Sequence, residues 1–236
     1  LSPVEVTSLR MLLGGTLVAA AARETGKRLG LSTADIGRLV PIGLVAAVHF
    51  LSFIASLYFT SVAHSLTLVY TAPLFIAALS RAVLHEPLPR RALLGMAMGL
   101  LGVAVLAGFE PRLTGAMVLG DLLALGAAVA FALYSLFGRR ERARLPLLPY
   151  ASWVYLTAGV ATAPFALGVL ARPVSGRALA AVLAMALFPH ALGHTLYNAA
   201  VRRLHPSIVN LITTQEVTGG AGGAAGQAVV DDSVVE

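Results

Sequence analysis

Residues 66–84 read LTLVYTAPLFIAALSRAVL, and they run into HEPLPRR at 85–91 and then ALLGMAMGLLGVAVLAG at 92–108. The first apolar run is long enough to cross a bilayer core of roughly 30 Å as a helix, with Arg81 near its end placed to snorkel to the interface. Pro87 and Pro89 stop that helix from continuing, and the run from Ala92 to Gly108 is nearly long enough to return. The stretch therefore reads as a transmembrane helical hairpin. Gly95, Gly99 and Gly102 put small residues on nearby turns of its second helix, where another backbone is expected to approach closely.

The same alternation of apolar runs and short connections fills the chain. Hydropathy predicts spans at Val4–Ala22, Leu39–Thr60, Leu66–Leu84, Ala92–Gly108, Met117–Gly138, Pro149–Leu170 and Leu179–Val201, with a weaker one at Pro206–Gly226. Hydrophobic residues make up 58% of the 236 residues and charged ones 12%, against roughly 45–50% and 25% in soluble domains. That balance argues for an all-α polytopic membrane protein. The absence of cysteine rules out a disulfide framework or a thiolate metal site. No Walker-type loop, nucleophile elbow or pair of catalytic aspartates occurs, so neither ATP-driven pumping nor a standard hydrolase chemistry is expected, and no cofactor. The chain opens Leu1-Ser2-Pro3 without a basic leader; no signal peptide is expected, and the sequence looks like the interior of a longer protein.

The net charge of +6 is topological. Arg23, Lys27, Arg28 and Arg38, then Arg81, Arg90 and Arg91, then Arg139, Arg140, Arg142 and Arg144, then Arg202 and Arg203 fall in alternate connections. Arg112, Arg172 and Arg177 are left for the other side, with Arg10 inside the first span. This is the positive-inside bias of a correctly ordered bundle, and it speaks against nucleic acid as a partner. A weak internal repeat lays Ser56–Ala63 over Ala200–Ser207. An odd number of spans separates the copies, so they run in opposite senses across the membrane, as in inverted-repeat transporters.

Thr71-Ala72-Pro73-Leu74-Phe75, Leu84-His85-Glu86-Pro87-Leu88-Pro89-Arg90-Arg91, Leu94-Gly95 and Leu101-Gly102-Val103 together resemble the fourth and fifth helices of EamA-type transporters in the drug/metabolite transporter superfamily. His85 stands where that pattern usually has Gly. The resemblance implies a ten-helix bundle of two inverted halves. On that plan residues 1–115 form a first repeat lacking its first helix, residues 116–218 a second repeat lacking its last, and 219–236 an atypical Gly/Ala-rich tail. It implies a secondary transporter, not an enzyme, that exports small polar metabolites such as amino acids across a bacterial inner membrane by alternating access. Ala63-His64-Ser65 and Leu68–Pro73 are similar to the branch that exports aromatic amino acids. The expected partners are the lipid bilayer, a small-molecule metabolite and, where flux is coupled, protons. Oligomeric state is open.

Polar residues inside apolar spans are the candidates for substrate contact, because each is costly against lipid. His49, Ser52, Ser56 and Thr60 share one helix face, either lining a cavity or bonded to their own helix. His190, His194 and Tyr197 fall at i, i+4 and i+7 with Asn198 beside them. The histidine pair admits three readings: substrate or proton contact, structural packing, or a metal site in a divalent-metal transporter or an intramembrane enzyme. Tyr70, Thr71, Asn210, Glu216 and Arg10 complete the substrate-binding set, Arg10 as a partner for an anionic group or as a snorkelling charge. Phe131 and Tyr134 are candidate aromatic walls. Pro73, Glu86, Gly95 and Gly99 are the candidate gating or structural positions, and Trp153 and Tyr155 read as interfacial anchors.

Overall fold

A computed structural model describes residues 1–27, 29–85, 87–107 and 114–213, and every regular element among them is helical. In order these are α1 (Pro3–Glu24), α2 (Thr33–Ser56), α3 (Val62–Val69), α4 (Ala72–Leu79), α5 (Arg90–Ala107), α6 (Gly115–Arg142), α7 (Leu147–Thr162), α8 (Gly176–Met185), α9 (Thr195–Ala200) and α10 (Pro206–Thr213). Short polar residues start several of them. Ser2 and Glu5 form a capping box at α1, with Ser2 N–H donating to the Glu5 carboxylate at 2.6 Å. Ser32, Ser61, Thr114 and Ser175 cap α2, α3, α6 and α8 by accepting from a backbone N–H three residues on.

Among the described residues six helical stretches are long and apolar enough to cross a membrane: Pro3–Glu24, Thr33–Ser56, Val62–Leu84, Gly115–Arg142, Leu147–Val169 and Gly176–Ala200. Large apolar side chains face outward along them and along α5, with Phe165 79% exposed and Met98 of α5 74%. In water such a surface would be a liability; in a bilayer it is the lipid-facing surface. The protein is a multi-pass helical membrane protein.

Three of the spans change helix type along their length: Leu147–Val169 tightens into a 3-10 helix, Ala163–Ala171, with Pro164 in its first turn, and two others are broken or widened. Pro73 has no N–H to offer the Val69 carbonyl, and the chain turns at Tyr70–Thr71 before resuming as α4. From Ser80 to Leu84 the helix widens to a π-turn, and His85 ends it in the left-handed conformation at φ 57°. In the later span Pro189 lies within a wider π-helical segment, Ala186–His194, that joins α8 to α9. A widened turn absorbs the missing donor and the ring without ending the span.

The weak sequence repeat has a structural counterpart. After α2, Phe59 and Thr60 N–H both donate to the Ser56 carbonyl; after α9, Arg203 and Leu204 N–H both donate to that of Ala200. The turns are equivalent at an offset of 144 residues, and α3 and α10 follow them. The same offset governs the α1–α7 crossing. A Cβ built on Gly15 would lie 3.0 Å from Leu156 N, and one on Gly159 would lie 2.9 Å from Leu12 N. Gly159 is Gly15 shifted by that offset, and Leu156 is Leu12 shifted by it, so the crossing is its own two-fold image.

Small residues let the central helices touch backbone to backbone, and Ala46, Ala128, Ala132, Ala151 and Ala158 fill the core with Met11, Phe50, Tyr150 and Tyr155. Among the described residues the predicted close approach on α5 is not found: nothing lies within 4 Å of a Cβ at Gly95 or Gly102, and Gly99 meets only the Leu211 side chain at 3.3 Å. There α5 packs against α3. Tyr155 is likewise no interfacial anchor: it is fully buried on the core face of α7, whereas half-buried Trp153 donates its indole N–H to the Leu29 carbonyl at 3.0 Å.

The two ends are tied by different chemistry. At one end Arg139 donates to the Val201 and Leu204 carbonyls at 2.9 and 2.7 Å, Arg140 to that of Val83 at 3.0 Å, and Arg144 to Asp35 at 2.9 Å and to Glu141 at 2.8 Å. The arginine-rich connections therefore meet at one end, as the charge pattern predicts. At the other end Glu5 pairs with Arg172, and Asp121 accepts from Thr60 Oγ1 at 2.8 Å with His64 Nδ1 at 3.4 Å. A Cβ on Gly120 would strike Thr60, so the α2–α3 turn is seated directly on α6.

Candidate functional site

A cavity of about 390 Å³ opens where the broken spans face α1, α2 and α6. Arg10 reaches it from α1; His49, Phe50, Phe53, Ile54 and Leu57 come from α2 and its turn; Leu66, Val69 and Tyr70 come from α3 and the break after it. Phe131 of α6, Met185 of α8, Pro189, Gly193 and His194 of the π-segment, Tyr197 of α9, and Asn210 and Thr213 of α10 close it. Helix breaks supply this wall because an interrupted helix is tolerated at membrane depth only where protein or a cavity receives the freed groups.

Arg10 is 4% exposed. Its Cζ lies 4.8 Å from the centre of the Phe50 ring, and among the described residues its Nε has no hydrogen-bond partner and no carboxylate pairs with it. His49 turns Nδ1 to the Ala127 carbonyl at 2.8 Å, so in the neutral ring Nδ1 carries the hydrogen and Nε2 remains as an acceptor. His194 sits 4.8 Å from Phe50 and 6.1 Å from Phe131, ring centre to ring centre. Tyr197 hydroxyl donates to Ser135 Oγ at 2.7 Å, and Asn210 Oδ1 is buried without a partner among the described residues.

A second layer stands behind. His190 is 0% exposed, packs 4.2 Å from Tyr155 and 5.3 Å from Phe50, and neither ring nitrogen has a partner among the described residues. A Cβ at Gly14 would overlap its ring, so Gly14 is the residue that admits His190. Asn198 Nδ2 donates to the Tyr134 hydroxyl at 2.5 Å and the His194 carbonyl at 2.8 Å, with the Tyr155 hydroxyl at 3.1 Å. Among the described residues no group of three His, Asp or Glu comes together, so the His190/His194 pair has no third ligand there.

Of the residues singled out from the sequence, Arg10, His49, Tyr70, Phe131, His194, Tyr197 and Asn210 share the cavity, and Tyr134 does not line it. His190 and Asn198 belong to the layer behind it. The polar stripe of α2 divides between its two readings: α2 ends at Ser56, His49 lines the cavity, and the other members are placed off it. Ser56 Oγ is buried, donating to the Phe53 carbonyl at 2.7 Å and lying 2.5 Å from Ser65 Oγ; Thr60 is engaged by Asp121. Ser52 is half-buried off the cavity, and Thr71 donates to the Leu68 carbonyl at 2.6 Å within the helix break. Pro73 is buried at the start of α4, next to the break it causes. Glu216 and Glu86 lie outside the described residues. The apolar lining, Phe50, Phe53, Leu66 and Val69 above all, carries no sequence signal that separates it from ordinary core.

The 144-residue offset maps one wall of the cavity onto the other. Phe50 pairs with His194, Phe53 with Tyr197, Leu66 with Asn210 and Val69 with Thr213, and all eight line the cavity. A fifth lining pair, His49 with Gly193, reverses that order, and Arg10 and Tyr70 add polar groups to the first half. The cavity thus lies between equivalent faces of two inverted halves, each carrying both apolar and hydrogen-bonding groups.

The model of the EamA-like transporter family matches residues 1–108 and again 118–218. The chain belongs to the EamA-like transporter family. An uncharacterized transporter of Archaeoglobus fulgidus is 30% identical over 141 residues, a match covering 59% of this chain and 48% of that protein. The chain thus spans about half the length of that curated relative. A protein of known crystal structure superposes with a TM-score of 0.75 over 92% of this chain and 76% of its own, at 22% identity, which speaks for the shared fold. This EamA-like chain accordingly has a two-repeat, membrane-spanning helical fold.

Proposed function

We propose that this EamA-like chain forms the transport path of a secondary transporter that exports small polar metabolites, amino acids among them, across a bacterial inner membrane by alternating access. The observation that carries the reading is the cavity between inverted halves, flanked by two broken spans and holding Arg10, His49, His194, Tyr197 and Asn210 in otherwise apolar surroundings. Direction and substrate class follow the resemblance of Ala63–Pro73 to amino-acid exporters. Inverted halves supply the means: tilting one against the other opens the cavity first to one side, then to the other. Contacts between the halves hold each end, Thr60 to Asp121 at one and Asp35 to Arg144 at the other.

The chain has no cysteine, which makes the test direct. A metabolite screen in proteoliposomes finds a transported compound. Thr60→Cys with Asp121→Cys, cross-linked by oxidation, is then expected to stop its flux and reduction to restore it. Full flux through completely cross-linked protein would rule out alternating access at this end.

A further inference from the structure

We propose that the cavity takes an amphipathic monoanion, a small carboxylate carrying an apolar or aromatic body, bound in a single orientation; the proposal rests on the cavity being the transport site.

Arg10 carries the argument. A guanidinium keeps its charge in proteins, and a charge removed from water without a counter-charge is costly unless something in the site supplies one. Here Phe50 occupies one face of the guanidinium, and the buried Nε has no hydrogen-bond partner among the described residues. The Nε edge belongs to the planar fork that matches a carboxylate through two parallel hydrogen bonds. Among the described lining residues Arg10 holds the only fixed charge, so a single negative charge balances the site and a dianion leaves an excess.

The paired walls determine the rest of the ligand. At four of the five lining pairs related by the repeat offset, the first half presents a hydrocarbon or phenyl surface and the second a group that hydrogen-bonds; His49 with Gly193 is the reverse. A wholly polar ligand would leave Phe50, Phe53, Leu66 and Val69 uncovered; a wholly apolar one would leave Asn210 Oδ1 without a partner among the described residues. An amphipathic body satisfies both walls, and reversing it end over end would take its carboxylate off Arg10.

The test uses purified protein in lipid nanodiscs, with hydrocinnamate, its amide, phenylpropylamine, acetate and phenyl phosphate as calorimetric probes. Hydrocinnamate is expected to bind about ten- to a hundredfold more tightly than its amide, the margin of one charged hydrogen-bonded contact. The amine and acetate should be weaker still. Arg10→Gln should erase the preference for acid over amide and Arg10→Lys should keep part of it. If Arg10→Gln does not fold, the ranking in the unaltered protein decides alone. Equal binding of acid and amide, tighter binding of phenyl phosphate, or no binding of hydrocinnamate overturns the proposal. Val69→Trp, which fills the cavity, separates it from the transport reading. If acid and amide bind equally and both are lost in Val69→Trp, the anion proposal falls and the cavity stands. If hydrocinnamate binds Val69→Trp undiminished, its site is elsewhere and both fall.

Discussion

At His85 the backbone is left-handed, φ 57° and ψ 30°, the only such non-glycine residue described. Glycine is usual there in the resembling family, and the torsion angles explain why: a Cβ costs energy in that conformation and a hydrogen does not. His85→Gly is expected to stabilise the protein by about 1 kcal/mol, read as a higher midpoint in detergent unfolding. Ser56→Leu should act oppositely. Ser56 is fully buried and bonded to Ser65, so the larger side chain overpacks the α2–α3 junction and costs about 1–3 kcal/mol, while flux per folded molecule stays at the unaltered level. A fall in flux with stability unchanged would return Ser56 to the site. The contrast with His49 shows how far sequence reading reaches. A polar group in an apolar span is visible as an anomaly, but whether it faces a cavity or its own carbonyls depends on where the helix ends. Arg10, Tyr70, His194, Tyr197 and Asn210 stand out by the same rule that picks out Ser52 and Ser56. Phe50, Phe53, Leu66 and Val69 do not, because a phenyl or isopropyl group looks alike against lipid, core or ligand.

Elements were more legible than residues. Span limits follow from hydropathy and from the Ser and Thr caps, and Pro73 marks its own break. The π-segment around Pro189 was hidden, since a proline in a span can kink, end or widen a helix and local sequence does not choose among these. Glycines misled for a related reason. Gly95 and Gly102 have the spacing of a packing face but meet no neighbour among the described residues, whereas Gly15, Gly43, Gly120 and Gly159 lie where backbones meet. Gly15→Ala and Gly159→Ala should each destabilise the protein by about 1–3 kcal/mol, because each added methyl group meets a main-chain nitrogen of the facing helix. Gly95→Ala meets open space and should be neutral or slightly stabilising in the same unfolding assay.

For the molecule as a whole, the charge pattern and the contacts of Arg139, Arg140 and Arg144 give one end its arginine girdle, and the positive-inside bias assigns that end to the cytoplasm. Single cysteines at Lys27, Arg90, Arg140 and Arg203 should resist a membrane-impermeant thiol reagent in intact cells, whereas one at Arg172 should react. Labelling at Arg140 from outside would invert the topology. The α1–α7 crossing has a consequence that a geneticist would meet as a pattern of suppression. Because Gly15 sits against Leu156 and Gly159 against Leu12, the defect of Gly15→Ala should be partly rescued by Leu156→Ala, and that of Gly159→Ala by Leu12→Ala, while the swapped combinations rescue nothing. The alleles would then sort into two complementary couples, each the counterpart of the other in the opposite half of the gene.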